Sequence, residues 1–169
     1  MTRIYLVGYM ASGKSRTGKA LAAALKWKFT DTDSLVEEQA KMTVQQIFSI
    51  HGEEYFRKLE AEVIRKTGEL KKTVIATGGG LPCFHGNIQW MNESGLTIYL
   101  EASEGLLFHR LATSKQGRPL VEGLNDVELM ELISRHLIER TPFYNKAAIT
   151  VPAISLDLKS LLKKIEKQK

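Results

Sequence analysis

The stretch Gly8-Tyr9-Met10-Ala11-Ser12-Gly13-Lys14-Ser15 satisfies the pattern G-x-x-x-x-G-K-S at every fixed position. The chemistry this spacing serves is the binding of phosphate. Its glycines let the backbone turn so tightly that successive N–H groups converge on phosphate oxygens, at the positive end of the helix that follows. Gly8, Ala11, Ser12 and Gly13 belong to that cradle, Lys14 reaches for the β- and γ-phosphates, and the Ser15 hydroxyl is a Mg²⁺ ligand. The motif predicts a nucleoside triphosphate as ligand. A switch GTPase would add D-x-x-G and N-K-x-D. None of the four aspartates (Asp31, Asp33, Asp126, Asp157) has a glycine at that spacing, and Asn145-Lys146-Ala147-Ala148 lacks the closing acid. Guanine specificity is disfavoured.

A second constellation is Asp31-Thr32-Asp33, which follows the short piece Trp27-Lys28-Phe29-Thr30. If the backbone is extended there, residues two apart share a face, and both carboxylates aim at one spot. Phosphoryl transfer to a hydroxyl has work for two such groups. One helps to hold Mg²⁺, directly or through its water, and the other accepts the proton of the attacking hydroxyl. The competing reading makes Asp33 the cap of the next helix. The four histidines show no metal-ligand spacing, and Cys83 reads as a small packing residue rather than a reactive thiol.

Further motifs stand in order along the chain: Gly52-Glu53-Glu54-Tyr55-Phe56-Arg57-Lys58-Leu59-Glu60, the triplet Gly78-Gly79-Gly80, Arg118-Pro119-Leu120, and Glu139-Arg140-Thr141-Pro142-Phe143-Tyr144. With the glycine-lysine loop and the D-x-D, these six resemble the shikimate kinase family nearly end to end. The resemblance implies an ATP- and Mg²⁺-dependent small-molecule kinase that phosphorylates the 3-hydroxyl of shikimate, in aromatic amino-acid precursor synthesis. It implies Asp33 as the base that also holds the substrate hydroxyls, Asp31 beside Ser15 as metal support, and Arg57 and Arg140 as two clamps on the substrate carboxylate. Arg118 would close on the transferring phosphoryl group from a mobile lid over about 112–124, with Gln116 and Gly117 before it. Arg110 would stack on adenine, with the segment around Pro152 opposite. Phe48, Phe56, Gly78, Gly79 and Gly80 would line the substrate pocket.

The residues alone leave several of these roles open. Arg57 and Glu60 have the spacing of an ordinary surface pair, Arg140 that of a charge near a helix C-terminus, and Phe48 and Phe56 that of core. Two features depart from the family pattern. Arg16 extends the nucleotide-binding run where small hydroxyl residues are common, and Leu81-Pro82-Cys83-Phe84-His85 follows the triple glycine in place of a small, β-branched continuation.

The elements that must position these groups can be read from periodicity. Ile4–Val7, the Trp27–Thr30 piece, Thr73–Ala76, Leu96–Leu100 and Ala148–Val151 are short strand-like runs. Helical patterns cover Lys14–Leu25, the segment through Ile50, Glu53–Leu70, 103–112, 125–139, and the C-terminal segment from Leu156. Alternation of this kind predicts an α/β three-layer sandwich: about five mostly parallel strands, helices on both faces, and ligands beyond the carboxyl ends of the strands. The 169 residues fit one domain spanning 1–169, with substrate-binding helices at about 32–67. One cysteine, no apolar run of membrane length and no room for a signal peptide before Ile4 predict a cytoplasmic protein. The net charge of +5 would suit anionic partners, nucleic acid among them. No nucleic-acid motif accompanies it, so the expected partners are ATP and a small acid bound by a monomer, without nucleic acid or membrane. A gluconate-type kinase is the alternative.

Overall fold

The computed structural model describes residues 2–114 and 118–168. Five strands form one parallel sheet: β1 (Arg3–Val7), β2 (Lys28–Asp31), β3 (Thr73–Ala76), β4 (Leu96–Glu101) and β5 (Ile149–Pro152), in the order β2-β3-β1-β4-β5. Ile4 to Val7 and Val74 to Ala76 have no exposed surface, because a parallel sheet is covered on both faces and its strands are apolar throughout. Alternation sorts their side chains. Tyr5, Val7, Ile75 and Tyr99 face one side, and Ile4, Leu6, Val74 and Ile98 the other.

The second of those faces is closed by α1 (Lys14–Leu25) and α7 (Leu158–Glu166), through Leu21, Ala22, Leu161 and Ile165. The first is closed by α4 (Asn87–Ser94), α5 (Glu104–Ala112) and α6 (Asp126–Tyr144), with Ile88, Met91, Leu107, Leu111, Leu129 and Ile133 inside. A third cluster of Val36, Ile47, Phe56, Leu59 and Val63 joins α2 (Thr32–Ala40) to α3 (Val44–Lys66). The three-layer α/β architecture expected from the alternation is the one observed, and no helix among the described residues is long and apolar enough to cross a membrane.

Three local differences have physical causes. The helix α4 was not anticipated: its eight residues offer only Ile88 and Met91 as fully buried apolar positions, too few to show a period. The helical stretches on either side of Gly52 form one kinked helix, in which Gly52 takes φ 82° and ψ 174° between two helical halves. The helix α6 runs on to Tyr144, five residues beyond the expected end. Pro142 falls in its last turn, where it removes the N–H that would donate to the carbonyl four residues back, and the helix ends two residues later.

Candidate functional site

The loop after β1 turns into α1 through Gly13, whose φ of 96° places it in the left-handed region. Lys14, 8% exposed, donates from Nζ to the carbonyls of Gly8 and Tyr9, both at 2.8 Å. Burial lowers its pKa to about 8, against the opposing pull of Asp33 and Asp31. The buried Ser12 hydroxyl has no partner among the described residues. That oxygen lies inside the loop, 3.2 Å from where a Cβ on Gly8 would stand, and keeps the turn at Gly8 tight.

The extended reading of Asp31-Thr32-Asp33 needs correction. The strand stops at Asp31, and Thr32 is already helical. Asp31, not Asp33, is the helix cap: its carboxylate accepts from the Asp33 N–H at 3.0 Å, satisfying a donor that the first helical turn would otherwise leave free. The two acids therefore take different surroundings. Asp31 Oδ2 accepts from the Ser15 hydroxyl at 2.8 Å, which pairs two hard oxygen donors at the loop. Asp33 turns toward the triple glycine, where a Cβ on Gly78 would lie 3.0 Å from its Oδ1. Burial and the neighbouring Asp31 raise the Asp33 pKa to about 6, opposed by Lys14.

Arg57 and Glu60 are no surface pair. They are 5% and 1% exposed and joined at 2.8 Å. Glu53 takes the other edge of the guanidinium at 2.9 Å, while Phe56 and Phe84 stack on it with ring centroids at 5.4 and 4.6 Å. The atypical segment after the triple glycine thus has a visible effect: its 3-10 turn Leu81–Cys83 brings Phe84 over the arginine. Burial pushes Glu60 up to about 7 despite Arg57. Among the described residues, Glu60 Oε1 has no hydrogen-bond partner, and neither has Nη1 of Arg140. Arg140, read from spacing as a charge near a helix end, is 6% exposed and stands one turn before that end, facing inward.

Two adjoining cavities collect these groups. One, of about 290 Å³, is bounded by the glycine-lysine loop with Ser15, Arg16 and Asp31. The other, of about 230 Å³, is bounded by Phe48, Phe56, Arg57, Glu60, Gly80 and Arg140. Both share the wall made by Met10, Asp33, Gly78, Gly79 and Arg118. A carboxylate and a guanidinium thus stand where the chamber at the glycine-lysine loop meets a chamber rimmed by two arginines. Arg118 donates to the carbonyl of Ser114 at 2.8 Å. Lys115, Gln116 and Gly117, part of the expected lid, lie outside the described residues. Arg110 borders neither cavity and donates to the Ala11 carbonyl at 2.9 Å. Pro152 ends β5.

Several contributors escaped the sequence reading. Glu37 borders the second cavity and adds to the upward push on Asp33. The Thr32 hydroxyl accepts from the Gly78 N–H at 2.9 Å and ties the triple glycine to the acid pair. Tyr144 donates from its hydroxyl to the Gly79 carbonyl at 2.6 Å. His136, Arg140 and Tyr144 fall at i, i+4 and i+8, a stripe that could have marked them as acting together.

A family model described as shikimate kinase matches residues 10–168. A shikimate kinase from Phocaeicola vulgatus is 42% identical, over 99% of this chain and 100% of that one. Among solved structures, a shikimate kinase from Bacteroides thetaiotaomicron superposes with a TM-score of 0.89 at 38% identity, covering 99% of this chain and 97% of the other. A shikimate kinase from Acinetobacter baumannii in complex with shikimate gives 0.86 at 30% identity, over 99% and 92%.

Proposed function

The chain belongs to the shikimate kinase family, and on that premise we propose how its own residues divide the reaction. The enzyme phosphorylates shikimate at the expense of ATP; a gluconate-type activity is not favoured. The observation that supports the assignment of roles best is the shared wall of the two cavities, with Asp33 and Arg118 between phosphate loop and arginine-lined chamber.

In this reading the substrate carboxylate meets Arg57 and Arg140. The orphaned Nη1 of Arg140 and the planar fork of Arg57 suit a carboxylate better than point charges would. Asp33 orients the 3-hydroxyl and takes its proton. A carboxylate with a pKa near 6 is ionised at neutral pH yet more basic than an exposed aspartate. Lys14 exchanges its two loop carbonyls for phosphate oxygens, and Arg118 offsets charge on the transferred group. Arg16 borders the nucleotide chamber, and Arg110, which donates to the Ala11 carbonyl, would stack on adenine. Ser15 and Asp31 are the oxygens that would hold Mg²⁺, which commonly takes one or two protein ligands beside phosphate and water. When bound, the ion would neutralise phosphate charge. The lid around Arg118 closes over both ligands and excludes water.

A coupled assay of ADP release tests the reading. Turnover is expected with ATP, Mg²⁺ and shikimate, and its loss with EDTA in excess. Equal turnover with gluconate or a nucleoside monophosphate would overturn the substrate assignment, and undiminished turnover in EDTA the metal site.

Gly80 offers a sharper test. A Cβ there would lie 2.6 to 2.8 Å from Nη1, Nη2 and Cζ of Arg57. Two glutamates and two rings hold that guanidinium, so it has little freedom to yield. Gly80→Ala is expected to raise the shikimate KM by tenfold or more, a displacement worth at least ~1.4 kcal/mol, while the ATP KM changes little. An unchanged shikimate KM would show that Arg57 does not bind the acid.

A further inference from the structure

Arg57 and Arg140 are both buried, yet they are held in opposite ways. Arg57 lies between two glutamates, whereas no carboxylate among the described residues is within ion-pair distance of Arg140. A buried cation without a counter-ion is costly and must be kept in place by something else. Its support is aromatic. The guanidinium carbon of Arg140 stands 5.5 Å from the centroid of the Tyr9 ring, and Tyr9 is 1% exposed.

We propose that Tyr9 and His136 form a positioning pair that fixes the floor beneath Arg140 and thereby sets the affinity for the substrate carboxylate. The inference rests on the reading of Arg140 as a carboxylate clamp. The Tyr9 hydroxyl and His136 Nδ1 are 2.9 Å apart, with the two rings tilted at 53° and centroids 5.8 Å apart. Burial and the nearby Arg140 and Arg135 push the His136 pKa down to about 4, so the ring is neutral and can accept from the hydroxyl. This hydrogen bond fixes the plane of the tyrosine ring on which Arg140 rests. His136 and Arg140 are one turn apart on the same stripe of α6, so ring and guanidinium are referred to one rigid element.

Tyr9 also belongs to the phosphate loop, where its carbonyl accepts from Lys14. A single residue therefore touches the phosphate lysine through its backbone and the carboxylate clamp through its side chain. The second clamp is held in register with the first chamber by this contact rather than by an acidic partner. Nη1 of Arg140 is buried and has no hydrogen-bond partner among the described residues.

Steady-state kinetics of the full chain with ATP and shikimate test this. Tyr9→Phe keeps the ring but removes the hydroxyl; His136→Leu removes the acceptor. Each is expected to raise the shikimate KM by about five- to tenfold, the range of one hydrogen bond; for His136→Leu, outside the phosphate loop, kcat and the ATP KM should stay within about twofold of the parent. His136→Gln presents an amide oxygen that can accept from the hydroxyl, and should restore the shikimate KM. Arg140→Ala is the control on the underlying reading. If it raises the shikimate KM while Tyr9→Phe and His136→Leu do not, the positioning pair is refuted and the clamp stands. If Arg140→Ala itself leaves the KM unchanged, the clamp reading falls. A glutamine variant no better than leucine, or a Tyr9→Phe enzyme losing kcat, both KM values and melting temperature together, would reduce the pair to ordinary core.

Discussion

Asp33→Asn is expected to lower kcat by about 10²- to 10⁴-fold, the range carried by a positioned general base, with binding of ATP little altered. The variant keeps the size and hydrogen-bonding reach of the side chain but cannot take the hydroxyl proton. The same substitution should make the protein more stable at neutral pH. Burial raises the folded-state pKa of Asp33 from 3.8 to about 6. A group raised in this way contributes stability that is complete below the unfolded value and lost as pH rises through the folded one. The wild type has lost it by pH 7. Asparagine, neutral throughout, does not, so the melting temperature of the variant should exceed the parent's at pH 7 and converge with it near pH 4. In the wild type, kcat/KM should fall on the acid side through about 6 as Asp33 protonates, and on the alkaline side through about 8 as the free-enzyme Lys14 loses its charge. An asparagine variant with near-normal kcat would remove Asp33 from the chemistry.

Arg57→Ala should lower kcat/KM for shikimate by about 10²- to 10³-fold, consistent with truncating one partner of a buried, hydrogen-bonded charge pair. It should also destabilise the fold by about 3–5 kcal/mol, because Glu60, 1% exposed, is left without its counter-ion. Glu60 already titrates near 7 with Arg57 in place. Without it the folded-state pKa rises further, so the loss of stability should grow as pH increases and shrink as Glu60 protonates. A second change separates structure from binding. Arg57→Ala with Glu60→Gln should recover most of the melting temperature and none of the affinity. Recovery of both would mean that the arginine serves only to neutralise the glutamate.

The chemistry-bearing segments were legible because their spacing is local. The glycine-lysine loop needs only eight residues in sequence, and the central strands β1, β3 and β4 are the largely apolar runs that a doubly covered sheet demands. What stayed hidden depends on partners distant in the chain. Nothing near Arg140 in sequence says that it will be buried against Tyr9, 131 residues away by number, and nothing near Phe84 that it will cover Arg57. The misjudged backbone at Asp31 has another origin. Extended and capping conformations of an aspartate before a helix share φ and ψ, and only the next residue's geometry separates them. The helix α4 is short and polar, its identity decided by packing of its own Ile88 and Met91 into the core rather than by propensity.

The order of the strands bears on how an active molecule comes into being. The phosphate loop and the triple glycine meet because β1 pairs with β3, Leu6 beside Ala76, across seventy residues of intervening chain. The chamber rimmed by the two arginines also needs Arg140, which is carried by α6, later in the chain than β4. Closing such long loops is slow compared with forming the helices within them. During refolding, helical signal should therefore return well before turnover, and half-assembled chains would hold neither nucleotide nor acid. A chain that is still being synthesised just past Ala76 lacks Arg118 and Arg140, and with them both walls that the acid and the transferred group would meet.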